Sequence, residues 1–128
     1  MLATHFSPGG AEQAPQVEAF VRWAAAKVPA GEPAILLGDL NTAPSSALFR
    51  TLEAAGSHEP DGVDRRGTFN HGLGSGHVSD SGWRIDHVLV RDIAGPTTSE
   101  RILDRPVTLA NGRRTTLSDH FGVRATLG

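Results

Sequence analysis

Two stretches of this chain are apolar at most positions and too short to be helices. Ala34–Gly38 reads Ala-Ile-Leu-Leu-Gly, and Trp83–Val90 carries Ile-Asp-His-Val-Leu-Val at its end. The first is flanked by breakers, and such a run suits a strand buried on both faces. A two-faced sheet needs cover on both sides, and only two helical patterns are on offer. Gln13–Val28 puts Val17, Phe20, Val21, Ala24 and Val28 on one stripe, with Glu18, Arg22 and Lys27 elsewhere. Pro29 and Gly31 stop it. A second helix is predicted over Ser46–Ala55, with Ser45 as N-cap and Gly56 just beyond its end. These helices can cover one face of the sheet, and the chain offers nothing for the other.

The remaining elements are strands and loops. Met1–Phe6 reads as the tail of a strand that stops at Ser7-Pro8-Gly9-Gly10. Thr98–Leu103 is a weaker strand. Val107–Ala110 and Arg113–Leu117 flank Asn111-Gly112, a hairpin signal. Phe121–Leu127 closes the chain. Ser57–Ser81 is polar, glycine-rich and irregular, with only Thr68-Phe69 strand-like, and a stretch this long is usually functional or mobile. The order predicts an α+β fold, a mixed sheet with helices on one face.

Composition narrows the function classes. A single domain is expected of 128 residues. With no cysteine, a disulfide framework, a cysteine-zinc site, an iron–sulfur cluster and a cysteine nucleophile are excluded. A net charge of −2 carries no gross basic character and argues mildly against tight, sequence-independent duplex binding. No apolar run approaches the roughly 20 residues of a membrane span, and Met1–His5 lacks the regions of a secretory signal. Localisation stays open, with the cytoplasm as the default. Gly72–Gly76 lacks the Gly-Lys-Ser/Thr ending of a phosphate loop.

Polar residues sit against the apolar pattern in a few places. Gly38-Asp39-Leu40-Asn41 directly follows Ile35-Leu36-Leu37. If the chain stays extended there, Asp39 and Asn41 point the same way, at the carboxyl end of a buried strand. Gly38 would permit close approach of a backbone or a ligand. The same residues could equally serve a turn and a helix start. Asp86 lies inside the second apolar strand, where a carboxylate is costly unless paired, and a cationic histidine is a natural partner. A bridge to Arg84 across an exposed edge, or His87 simply facing solvent, are the other readings. Ser118-Asp119-His120 precedes the last strand and could be a turn. His5 ends the first strand. Arg65-Arg66 and Arg113-Arg114 read as loop charges, and Trp23 as packing.

Taken together, Thr4-His5, Gly38-Asp39-Leu40-Asn41, Asp86 in a strand and Ser118-Asp119-His120, in that order, resemble the endonuclease/exonuclease/phosphatase superfamily of metal-dependent phosphoesterases. The resemblance covers nearly the whole chain but only the second half of the family domain. It implies half of a four-layer α/β/β/α sandwich, a deoxyribonuclease-like fold, which accounts for the missing cover. It implies catalytic roles for His5, Asp39, Asn41, Asp86 and His120. Asp39 would orient or deprotonate the attacking water, Asn41 would donate to a phosphoryl oxygen, and His120 would stabilise the phosphate charge with its tautomer fixed by Asp86. His5 would help protonate the leaving oxygen. Asp119, Asp39 and Asn41 would be at or beside a site for Mg²⁺ or Mn²⁺.

The resemblance further implies a phosphate-ester substrate: a nucleic acid, a phospholipid or a sugar phosphate head group. The family's first half carries a metal-binding glutamate, and only four residues precede His5. Residues 1–128 are therefore expected to be the C-terminal part of one domain with its N-terminal half absent. Weak metal binding and inefficient hydrolysis would follow, as would self-association through the uncovered sheet face. The other reading is a catalytically inactive half-domain that serves as a binding or partner-dependent folding unit.

Overall fold

In a computed structural model that describes residues 1–74 and 76–128, the apolar runs form two neighbouring strands of a three-stranded sheet. β1 (Leu2–Ala3), β2 (Ala34–Asp39) and β3 (Asp86–Arg91) stand in that order. β1 runs parallel to β2, and β2 runs antiparallel to β3 in a register that sets Leu36 opposite Leu89 and Asp39 opposite Asp86. The sheet is mixed, as expected. The parallel step from β1 to β2 is made through α1 (Gln13–Lys27), the helical crossover that such a pair requires.

Helix α1 carries Pro15 in its first turn, where a missing N–H costs nothing. α2 (Ala47–Ala54) starts one residue later than the sequence suggests. Ser46 rather than Ser45 caps it, its Oγ accepting from Phe49 N at 3.0 Å. Both helices lie on one face, and with that face they enclose one core: Phe6, Val17, Leu36, Leu40, Phe49, Leu52 and Leu89. Val17, Leu40, Phe49 and Leu89 are fully buried. Trp23, expected to pack, is about half exposed and leans on Phe20 with ring centroids 5.8 Å apart.

The later strands form separate ladders. β4 (Thr97–Ile102) pairs antiparallel with β7 (Gly122–Leu127), and β5 (Val107–Thr108) pairs with β6 (Arg114–Thr115) across the Asn111-Gly112 turn. Gly112 sits at φ 80°, the left-handed region that favours glycine. The polar stretch over 57–64 joins the sheets: His58 pairs with Val90 of β3 and Gly62 with Thr98 of β4. Trp83–Ile85, expected to be strand, stay outside β3. The N–H groups of Ile85 and Asp86 both donate to the Thr68 hydroxyl at 3.0 Å instead of to a neighbouring strand. Ser75, within the glycine-rich stretch singled out above, lies outside the described residues. Among those described, no helix is long and apolar enough to cross a membrane.

On the sheet face away from the helices, Leu37, Val88 and Val123 are half-buried and border an open cleft that ends at Asp39 and Asp86. The helix-side core should dominate stability. Leu89→Ala is expected to lower the unfolding free energy by about 3 kcal/mol, and Glu53→Ala, on the exposed side of α2, by less than about 0.5 kcal/mol. Urea titrations followed by far-UV circular dichroism check both.

Candidate active site

Gly38 decides how the first strand meets the second. A Cβ there would lie 1.8 Å from the Thr4 carbonyl oxygen, and its φ of 144° is itself one that side chains rarely adopt. With glycine in place, the backbone of residues 4–6 closes onto β2, Thr4 N donating to Leu37 O and Phe6 N to Asp39 O, both at 3.1 Å. His5 is thereby set beside the end of β2. There Leu40 N donates to Ile85 O at 2.8 Å, and the chain then turns: Asn41 is left-handed, at φ 47°. The extended path that would align Asp39 with Asn41 is therefore not followed. The two meet another way, through the Asn41 N–H donated to Asp39 Oδ1 at 2.9 Å.

The β2–β3 register places the carboxylates of Asp39 and Asp86 directly across from each other. Like charges so placed repel, and His120 answers both. Its Nδ1–H donates to Asp86 Oδ2 at 2.8 Å, and its Nε2 stands 3.8 Å from Asp39 Oδ2. Because a carboxylate only accepts, the bond to Asp86 fixes the proton on Nδ1. His5 approaches from the other side, Nε2 3.4 Å from Asp39 Oδ2 and 3.2 Å from Asn41 Nδ2. The Asn41 amide also donates to Phe6 O at 2.8 Å. The five residues expected to be catalytic thus form one chain of contacts.

Asp119, the further residue of the expected metal set, is exposed, its Oδ1 3.3 Å from the Ser118 hydroxyl. Asp39, Asp86 and His120 each offer one ligand atom, and these lie within 4.8 Å of one another.

The turn that carries His120 is anchored by residues from the polar stretch. Asn70, fully buried, donates its Nδ2 to Thr116 Oγ1 at 3.0 Å and to Ser118 O at 3.3 Å, and its N–H to Asp119 O at 2.7 Å. Its Oδ1 accepts from the N–H groups of Gly72 and Ser79. Phe121 N donates to Thr68 O, and the Phe69 ring stands edge-on to His120 at 5.3 Å. Phe69 also stacks on Trp83, which is mostly exposed. These rings, with Pro8, Ile85 and Asn41, line a cleft of about 320 Å³ beside His120.

Asn70 and Glu59 went unmarked in the sequence, and the hydroxyl role of Thr68 was not foreseen; Glu59 forms a largely buried trio with Arg84 and His87. Arg84 pairs with Glu59 rather than with Asp86, and His87 is buried rather than solvent-facing. Burial raises the Glu59 pKa, but His87 and Arg84 outweigh it and hold the carboxyl down to about 2.

Burial disfavours the charged form of His120. The hydrogen bond to Asp86 and the charges of Asp86, Asp39 and Asp119 overcome this and raise its pKa above the ordinary 6.5. The sign follows from linkage. The stabilisation by the His120 proton is full below the unfolded histidine's value and is lost as pH rises through the folded one. Asp86→Asn should lower the His120 pKa and diminish that contribution. Long-range ¹H–¹⁵N NMR of the imidazole across pH measures it, and an unmoved titration would contradict the pairing.

The profile of the Endonuclease/Exonuclease/phosphatase family matches residues 2–120. No curated protein matches the chain in sequence. Among solved structures, a mannosyl-6-phosphatase from Bacteroides thetaiotaomicron superposes with a TM-score of 0.72 at 21% identity, over 98% of this chain and 49% of that one. Sphingomyelinase C from Streptomyces griseocarneus gives 0.61 at 23%, over 98% and 52%. A Staphylococcus aureus beta toxin variant with bound magnesium ions gives 0.63 at 16%, over 98% and 52%. The likeness is one of fold, deoxyribonuclease-like, and the chain spans about half the length of these structures. The carboxylates and histidines at the strand ends are thus those of a chain that belongs to the endonuclease/exonuclease/phosphatase family.

Proposed function

We propose that the chain is the C-terminal part of a phosphoester hydrolase domain, with water attacking phosphorus at the Asp39–His120–Asp86 cluster. The observation that carries this reading is a histidine held at 2.8 Å by one carboxylate and facing a second at 3.8 Å. Hydrolysis of a phosphate ester needs an in-line water, charge stabilisation on the equatorial oxygens and a proton for the leaving oxygen.

The residues divide these tasks. Asp39 orients the water and takes its proton as the new P–O bond forms. Asn41 donates to a phosphoryl oxygen. His120, with its tautomer set by Asp86, faces the same oxygens through Nε2 and carries positive charge more readily than a free histidine. His5, exposed and in reach of Asp39, supplies the proton to the leaving oxygen as that bond breaks.

Two carboxylates, of Asp39 and Asp86, converge with His120 within 4.8 Å, and oxygen donors of this kind suit a hard cation. Asp39, Asn41 and Asp119 would hold Mg²⁺ or Mn²⁺. When bound, the ion supplies charge to the phosphoryl and leaving oxygens. The open cleft lined by Phe69 and Trp83 next to His120 suits the ester's organic part.

Hydrolysis of bis-p-nitrophenyl phosphate and p-nitrophenyl phosphate tests the reading. Turnover should be stimulated by Mg²⁺ and abolished by EDTA. Asp39→Asn and His120→Gln should each lower kcat by about 10²-fold or more. Turnover indifferent to both substitutions would overturn the proposed site. No turnover of either ester would leave the inactive half-domain as the better reading.

A further inference from the structure

Two buried polar side chains have no part in the chemistry just described, yet both end on the loop that carries Asn41. Gln13, the first residue of α1, is 7% exposed, and His87, on β3, is 3% exposed. Gln13 Nε2 donates to Asn41 O at 2.7 Å and lies 3.4 Å from Leu40 O. His87 Nε2–H donates to Thr42 O at 2.9 Å. Three consecutive carbonyls, of Leu40, Asn41 and Thr42, are thus satisfied by side chains from two different elements.

The loop between those carbonyls carries one of the three non-glycine residues at positive φ among the described residues. Asn41 holds φ 47°, a left-handed conformation that asparagine tolerates better than most side-chain-bearing residues but does not hold unaided. Relaxing it would swing the Asn41 carbonyl away from Gln13 and the Asn41 side chain away from Phe6 O. The His87 ring is itself constrained. It packs against Phe49 with centroids 4.9 Å apart, and its Nδ1 stands 3.6 Å from Glu59 Oε1, which is paired with Arg84. A buried carbonyl without a donor is costly, so losing either clamp frees the loop to leave the left-handed conformation.

We propose that Gln13 and His87 are positioning residues that lock Asn41 in its left-handed conformation and so aim its side-chain amide into the active site. The catalytic consequence rests on the phosphoester hydrolase reading, and the positioning itself does not. Neither residue touches the reacting atoms. Their effect passes through the angle at which Asn41 meets a phosphoryl oxygen, where a misplacement of about 1 Å is felt strongly in rate.

The test uses the 128-residue chain and three variants. Gln13→Met and His87→Phe keep the shape and remove the donor, and His87→Gln keeps a donor. The first readout is the ¹H–¹⁵N resonance of the Asn41 side-chain amide and its hydrogen-exchange protection. Both should collapse toward free-asparagine behaviour in Gln13→Met and His87→Phe and be largely retained in His87→Gln, while the backbone amides of Leu36 and Leu89 hold their positions. The second readout is kinetic: kcat for bis-p-nitrophenyl phosphate should fall about 10-fold in the two donorless variants with KM unchanged. An Asn41 amide that stays in place in both donorless variants would overturn the proposal. So would a displaced amide with kcat intact. If the unmodified chain hydrolyses nothing, its own turnover is ruled out, and the amide resonance alone decides the positioning. If His87→Phe unfolds, which the Leu36 and Leu89 amides report, Gln13→Met decides it.

Discussion

Everything in this molecule's polar centre follows from two carboxylates that the sheet register forces to face each other. β2 and β3 pair antiparallel through six residues each, and the last pair is Asp39 with Asp86. Shifting that register by one residue would exchange the faces of β3, taking Leu89 out of the helix-side core and turning Asp86 into it. The hydrophobic packing of Leu36, Leu89, Phe49 and Val17 therefore also fixes the carboxylate pair. The repulsion of that pair is relieved by a histidine more than thirty residues further along, whose Nδ1 stands 2.8 Å from Asp86. Core packing and site electrostatics are two consequences of one strand alignment.

Delivering His120 to that place takes most of the polar second half of the chain. Thr68 caps the entry to β3 through its hydroxyl and takes the Phe121 N–H on its carbonyl. Asn70 ties the turn before His120 to the stretch over 70–79. Arg101 lies over the Phe121 ring at 4.4 Å and donates to Gly67 O. Segments that look like connecting loop in the sequence are fixed by buried hydrogen bonds, and such bonds cost little net energy to keep and much to break.

How much of this was legible in the sequence depends on the range of the interaction. The helices, the first buried strand and the Asn111-Gly112 turn announce themselves through local periodicity and turn chemistry and stand where expected within a residue or two, whereas the second buried strand begins three residues later than its apolar run. Asp86 could be singled out because a carboxylate in an apolar run needs a partner. Gly38 could be singled out because a glycine in a strand often marks a close backbone approach. Gln13, Thr68, Asn70 and His87 carry no such local mark. Each is a polar residue in a polar or mixed neighbourhood, buried only because a distant carbonyl or hydroxyl meets it. Arg84 was offered Asp86 as a partner on the strength of nearness in sequence, and Glu59, far off in the chain, took it instead.

The central claim is that Asp39, Asn41, Asp86 and His120 together receive a phosphoryl group. The most direct measurement is NMR shift mapping of the isotope-labelled chain on adding inorganic phosphate with and without Mg²⁺. The account predicts that the His120 imidazole and the Asn41 side-chain amide move together and saturably, that His5 follows, and that Mg²⁺ strengthens the response. Shifts that fall elsewhere on the molecule, or phosphate binding that leaves the His120 ring and the Asn41 amide unchanged, would contradict it.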